Sequence, residues 1–161
     1  MGKIKEGLGT LIGNAGEHLV MAELLKRGII AALAPRNSPA FDILATNHKK
    51  TVNIRVKTKS GEIDAWQWSI KKNGKVFNYL KKEDDFSVLV DLTSDIKDTD
   101  FFIIPTYEID KWMTDDFNNW VHIPGKKGQQ RNPDNKKRTL LASKISAQLG
   151  GYKNNWDILW K

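Results

Sequence analysis

Phe41-Asp42-Ile43-Leu44-Ala45 and Val52-Asn53-Ile54-Arg55-Val56-Lys57-Thr58 are the two stretches on which the reading of this chain turns. Both are apolar segments of strand length, set off by Pro35-Arg36-Asn37-Ser38-Pro39 and by Thr46-Asn47-His48-Lys49-Lys50. In the second, Val52, Ile54 and Val56 point to one face, while Asn53, Arg55, Lys57 and Lys59 point to the other. An aspartate on one strand and a lysine on the next is the layout a metal-dependent phosphodiesterase needs. The carboxylate holds the cation, and the lysine faces the attacking water or the phosphate. Arg55 stands where a second acid would serve that chemistry.

Outward from this pair, Asn14 to Arg27 reads as a helix: Ala15, Leu19, Ala22 and Leu25 fall at near-helical spacing, and Val20 and Leu24 widen the stripe. Asn14 is a fair N-cap, and Gly28 is a natural stop. Leu8, Leu11 and Ile12 either continue that helix or form a separate turn among Gly7, Gly9 and Gly13. Ile29 to Ala34 is a further strand before Asp42. Beyond Lys59, Trp66 to Ile70 and Lys75 to Tyr79 flank Asn73-Gly74, which signals a hairpin. Phe86 to Leu92 and Phe101 to Pro105 are dense apolar strands, and a helix is predicted from Tyr107 to Met113. The composition changes after Asp115. Residues 124–138 are polar, basic and rich in Gly, Pro and Asn, and read as a long loop. Leu140 to Leu149 predicts a short helix, and the aromatic tail from Tyr152 to Trp160 predicts a segment that docks back on the core. The expected organisation is one domain, with a core over 1–115 and a basic loop and extension over 116–161.

The chain has 161 residues, enough for one real core. No stretch of eighteen apolar residues could span a bilayer, so no membrane partner is expected. The first nine residues lack the apolar run of a signal peptide, and no cysteine is present; both fit a cytoplasmic protein. Lys and Arg outnumber Asp and Glu by 26 to 19, a formal charge of +7 that favours polyanionic partners.

A helix, three strands and further strands and a helix, with polar residues collected near Asp42 and Lys57, resemble the PD-(D/E)XK nuclease superfamily. Gly16-Glu17 with Leu19, Val20 and Leu24 is similar to its first helix, Phe41-Asp42-Ile43 to its metal-binding strand, and Ile54-Arg55-Val56-Lys57 to its (D/E)-x-K strand. Small archaeal Holliday junction resolvases and related endonuclease-like proteins are nearest in pattern. The resemblance covers residues 14 to 113. It implies an α/β, restriction-endonuclease-like αβββαβ core, with a mixed central sheet flanked by helices. It further implies Mg²⁺ or Mn²⁺ on Asp42, Glu17 and the Val56 carbonyl, with Glu17, Asp42 and Lys57 as the catalytic set. Arg36 and Ser38 sit where the resolvases carry a basic residue and a serine. Nucleic acid, DNA foremost, is the implied partner, and a two-fold homodimer the implied assembly. Arg36, Ser38, Arg55, Lys59, Lys126, Lys127 and Arg131 are the expected nucleic-acid contacts.

Arg55 leaves two functions open. A guanidinium about 5 Å from a metal position, at an effective dielectric near 20, repels roughly 3 kcal/mol per unit charge, doubled for a divalent ion. Glu17 is one replacement ligand, and Glu62 or Asp64 another; with either, the chain is a Mg²⁺-dependent endonuclease. Without them it is a nucleic-acid-binding module on the same scaffold, with Arg55 gripping a phosphate. Plainer readings stand beside both: Asp42 as a turn cap or partner of Arg55, Lys57 or Arg36, Lys57 as an exposed strand lysine, Glu17 on a solvated helix face, and Lys71, Lys72 and Lys75 as a solvated hairpin tip. Trp66 and Trp68 read as core packing more readily than as a base-stacking platform.

Overall fold

The computed structural model describes residues 8–61, 63–81 and 83–161. Its first helix, α1 (Leu8–Lys26), runs through Gly9 and Gly13, so Leu8 and Ile12 continue the helix and Asn14 is an interior residue rather than its cap. The helix ends as expected at Gly28, whose φ of 75° is open to glycine at little cost. The chain then forms an antiparallel meander of β1 (Ile30–Leu33), β2 (Ile43–Thr46) and β3 (Thr51–Lys59). After β4 (Ala65–Ser69), which leaves this sheet, β5 (Asp85–Asp91) lies parallel to β3 and β6 (Asp100–Pro105) antiparallel to β5. The result is a mixed five-stranded sheet ordered β1-β2-β3-β5-β6. The αβββαβ pattern expects a helix in the crossover from β3 to its parallel neighbour. Here β4 and an irregular loop make that crossover.

Strand alternation divides the interior in two. Val52 and Ile54 of β3, Phe86, Val88 and Val90 of β5, and Phe101 and Ile103 of β6 pack with Val20 and Leu24 of α1. Trp156 and Leu159, from a 3-10 turn over Trp156–Trp160, complete that layer. On the opposite face, Leu89, Phe102 and Ile104 meet Trp66 of β4, Ile109 and Met113 of α2 (Thr106–His122), and Leu140 of β7 (Lys137–Leu141). Buried on both faces, β5 is apolar between its terminal aspartates except at Ser87, whose hydroxyl is hydrogen-bonded to that of Thr106.

Two expectations change. Lys71-Lys72-Asn73-Gly74 does turn, with the Lys71 N–H donating to the Lys75 carbonyl at 2.9 Å, but residues 75–79 do not return as a strand. Phe77 enters the second core layer, and the Asn78 carbonyl takes a hydrogen bond from Arg55, so the segment meets its needs without a ladder. β4 pairs with β7, placing Trp66 opposite Leu140 and Trp68 opposite Arg138. That pairing shortens the basic loop and leaves only α3 (Ser146–Leu149) of the helix expected over 140–149. No helix among the described residues is long and apolar enough to cross a membrane.

Candidate active site

Asp42 stands one residue before β2, where β2 and β3 part. Its N–H donates to the Ile54 carbonyl at 2.9 Å, and its carbonyl accepts from Ala34 N–H at 2.8 Å, which fixes its backbone between two strands. Its Oδ2 accepts the Val56 N–H at 2.7 Å. In an extended strand the N–H and C=O of one residue point to the same edge. The Val56 carbonyl therefore opens toward Asp42 as well. Burial pushes the Asp42 carboxyl up from its ordinary value, against the Val56 N–H and the charges of Arg55, Lys57 and Lys71, which hold it down.

Glu17 comes within electrostatic range of Asp42 because α1 lies very close to β3. A Cβ on Gly16 would come 1.9 Å from Thr58 Oγ1, so only glycine allows this approach, and the next residue is carried to the sheet's edge. Burial raises the Glu17 pKa and the Asp42 charge raises it further, while His18 and Arg36 oppose. The Asp42 charge thus acts on the Glu17 carboxyl across the gap between α1 and β2. Lys57 is lowered by burial, with Asp42 opposing, and its ammonium lies 5.7 Å from the centre of the Trp68 ring. Lys57 also lines a cleft of about 420 Å³ with Gln67 and the first turns of α1.

Arg55, the odd residue of the strand, is turned to structural partners. Its Nη2 donates to the Asn78 carbonyl at 2.8 Å, lies 3.8 Å from Asp85 Oδ1, and its guanidinium sits 5.4 Å from the Phe77 ring centre. Only 12% of its side chain is exposed. Burial lowers its pKa, with Asp85 and then Asp42 opposing, so its charge is felt at Asp42 although it is committed elsewhere.

Of the expected residues, Glu17, Arg36, Asp42, Val56 and Lys57 are thus brought together by bonds or charge. Ser38 is half-buried in the turn before Asp42, its N–H donating to the Pro35 carbonyl. Lys59 is buried, bonded to Asp64 at 2.9 Å and paired with Asp91 at 2.6 Å, and this is where Asp64 is found rather than at Asp42. Glu62 lies outside the described residues. Lys126 and Lys127 are exposed on a turn beyond α2, and Arg131 lies over Trp120; no hydrogen bond or ion pair among the described residues joins them to the Asp42 group. Two residues escaped the sequence reading. Lys71, taken only for a hairpin tip, donates to the Pro39 carbonyl at 3.3 Å and acts on the Asp42 charge. Asp85, buried beside Arg55, has no signal in sequence beyond its place at the head of β5.

The donor set suits a hard divalent cation: two carboxylates and a backbone carbonyl would offer it oxygen atoms, and a cation there would offset the Asp42 charge that acts on Glu17. Among the described residues no third acidic or imidazole ligand joins them. No family model matches the chain, and no curated relative matches it. Among solved structures it is similar to Hjc, a Holliday junction resolvase of the archaeal hyperthermophile Archaeoglobus fulgidus, at 15% identity and a TM-score of 0.45 over 81% of this chain and 84% of that one. It is also similar to a bacterial homing endonuclease, at 17% identity and a TM-score of 0.49 over 93% and 92%. The fold of this chain is α/β, a mixed five-stranded sheet flanked by helices.

Proposed function

We propose that the chain is a divalent-metal-dependent nuclease hydrolysing phosphodiester bonds of DNA or structured nucleic acid. The observation that carries this reading is the tether on Arg55: the guanidinium of the residue that breaks the motif is taken up by Asn78, Phe77 and Asp85. Asp42, Glu17 and the Val56 carbonyl would hold Mg²⁺ or Mn²⁺. When bound, the ion supplies Lewis-acid polarisation of the phosphate and a water of lowered pKa. Lys57 contributes an ammonium that orients the water or meets the charge developing on the phosphorus oxygens. Arg36, and Lys71 beside it, draw the substrate backbone toward the carboxylates. Edge strand β1 with neighbouring β2 leaves Ile30 and Leu44 exposed, and a two-fold homodimer through that surface belongs to the same reading.

The test is cleavage of plasmid and branched DNA with Mg²⁺ or Mn²⁺ by the wild type, Asp42→Ala and Lys57→Ala. Activity in the wild type lost in both variants supports the mechanism; cleavage that survives both overturns it. A second reading, a binding module without catalysis, is favoured by one observation: the Arg55 charge still acts on Asp42. Metal-independent binding that weakens with salt, and no cleavage of any substrate, would select it.

A further inference from the structure

The loop over residues 70–80 and helix α2 enclose a cleft of about 730 Å³ whose walls include Phe77, Asn78, Asp110, Phe117, Asn118 and Arg138. Its near wall is the same Phe77-Asn78 pair that anchors Arg55 beside the Asp42 site. Its far wall begins a ladder of alternating planes. Arg138 lies 3.3 Å over the Phe117 ring, Phe117 stacks on Trp120 at 5.7 Å and 24°, and Arg131 lies 4.9 Å over Trp120. A second hollow of about 190 Å³ shares Met113, Phe117 and Arg138 with the cleft and continues along the ladder to Trp120. One path therefore leads from the Phe77-Asn78 anchor of Arg55, whose charge acts on Asp42, to the basic loop.

The chemistry along this path is specific. Arg138 donates from Nη1 to the Asn135 and Lys137 carbonyls, and Arg131 donates from Nε to the Ile123 carbonyl, so each guanidinium is held in plane with N–H groups to spare. Asn118 and Asn78 offer groups that hydrogen-bond in both directions. Lys126, Lys127, Lys136 and Lys137 are exposed along the loop. Against them stand Asp110, which faces Lys75, Asp116, which pairs with Lys144, and Asp134. Cations prevail. A duplex keeps its bases stacked inside and offers a phosphate surface only, whereas an unpaired strand offers both phosphates and free base planes, which stack on aromatic rings and guanidinium groups alike.

We propose that this path, from the Phe77-Asn78 wall through Arg138 to Arg131, binds an unpaired strand of nucleic acid next to the Asp42 site. The inference deepens the nuclease reading by naming its substrate class, and binding itself requires no catalysis. The test is fluorescence anisotropy in EDTA with a labelled single strand, DNA in one arm and RNA in the other, against a blunt duplex of the same DNA sequence. The wild type should prefer at least one single strand over the duplex by about tenfold, and Phe117→Ala and Arg138→Ala should each remove most of that preference, as loss of one stacked base would. Arg138→Lys keeps the charge without the planar group, and should lose most of the preference while melting at the wild-type temperature. Equal affinity of the wild type for strands and duplex, or a preference undiminished in Arg138→Lys, overturns the proposal. Because no metal is present, failure here leaves the cleavage assay untouched, and failure of cleavage leaves this result standing.

Discussion

Lys57 and Lys59 leave β3 on the same face, two residues apart, and each lies against a tryptophan of β4, yet they end in opposite electrostatic states. Lys59 is buried, which pulls its pKa down, but hydrogen bonds to Asp91 and Asp64 outweigh burial and hold the ammonium above its ordinary value. Lys57 is partly buried with Asp42 alone opposing, and its pKa falls. Asp91 shows the matching effect: burial raises it, and Lys59 with Thr93 more than reverses that. One end of the strand holds matched charges and the other an unmatched set of a lysine and an acid whose charge also acts on Glu17. Matched charges hold structure together, whereas an unmatched set is what a reacting phosphate and its ion can complete.

That contrast can be broken experimentally. The largest effect is expected in catalysis: if the protein cleaves as proposed, Lys57→Met should lower the Mg²⁺-dependent rate by roughly 100-fold or more, as removal of a group meeting developing charge does. In urea the same variant should unfold no more easily than the wild type. Lys59→Met should do the reverse. Stripping the buried partner from two carboxylates costs about 2 kcal/mol, the usual 3–5 kcal/mol being discounted because Asp64 is largely exposed, and this should appear as a lower urea midpoint. If Lys57→Met proves the more destabilising of the two, the comparison is wrong.

Gly16→Ala should come next, at about 1–3 kcal/mol, because its methyl overlaps Thr58 Oγ1. Thr58→Ala in the same chain should recover most of the loss. An undiminished midpoint for Gly16→Ala alone would mean that α1 is not held so close, and Glu17 would then have no reason to reach Asp42.

The smallest effect concerns pH. Glu17 and Asp42 have folded pKa values raised above the unfolded ones, so the folded state binds more protons; their ionisation disfavours folding, with the penalty complete above the raised values and absent below the unfolded ones. Added Mg²⁺ should therefore raise the melting temperature by a few degrees at neutral pH, equivalent to about 1 kcal/mol, and the gain should fade on acidification toward the ordinary carboxylate range. Asp42→Asn should abolish it. A Mg²⁺ shift that is independent of pH, or that persists in Asp42→Asn, would place the ion elsewhere. The Lys59 pair should behave oppositely, its contribution lost only as pH falls through the depressed Asp91 value or rises through the raised Lys59 value.

What the sequence made legible follows from range. Alternation in Val52 to Lys59 and the helical stripe around Val20 and Leu24 are local patterns, and they located Glu17 on α1 and Lys57 on β3, while Asp42 stands just ahead of β2 rather than within it. The pairing of β4 with β7 joins residues some seventy positions apart and was hidden. The same holds for Arg55, whose partners Asn78 and Asp85 lie across a loop that no periodicity announces. The burial of Lys59, expected to face a phosphate, was hidden for a related reason: period two gives the face of a strand but not what lies over it, and β4 covers that part of the stripe.

Arg55 and Asp85 also set which charges position 55 can carry. Asp85 is 1% exposed, and its Oδ1 has no hydrogen-bond partner among the described residues. Arg55→Glu, the single step toward the motif of the resembling family, would set a second carboxylate against this one and release the Asn78 loop from its anchor. A negative charge at position 55 is therefore costly for as long as Asp85 keeps its own: the two positions share one buried charge balance, and the carboxylate on β5 sets the sign that β3 can carry beside it.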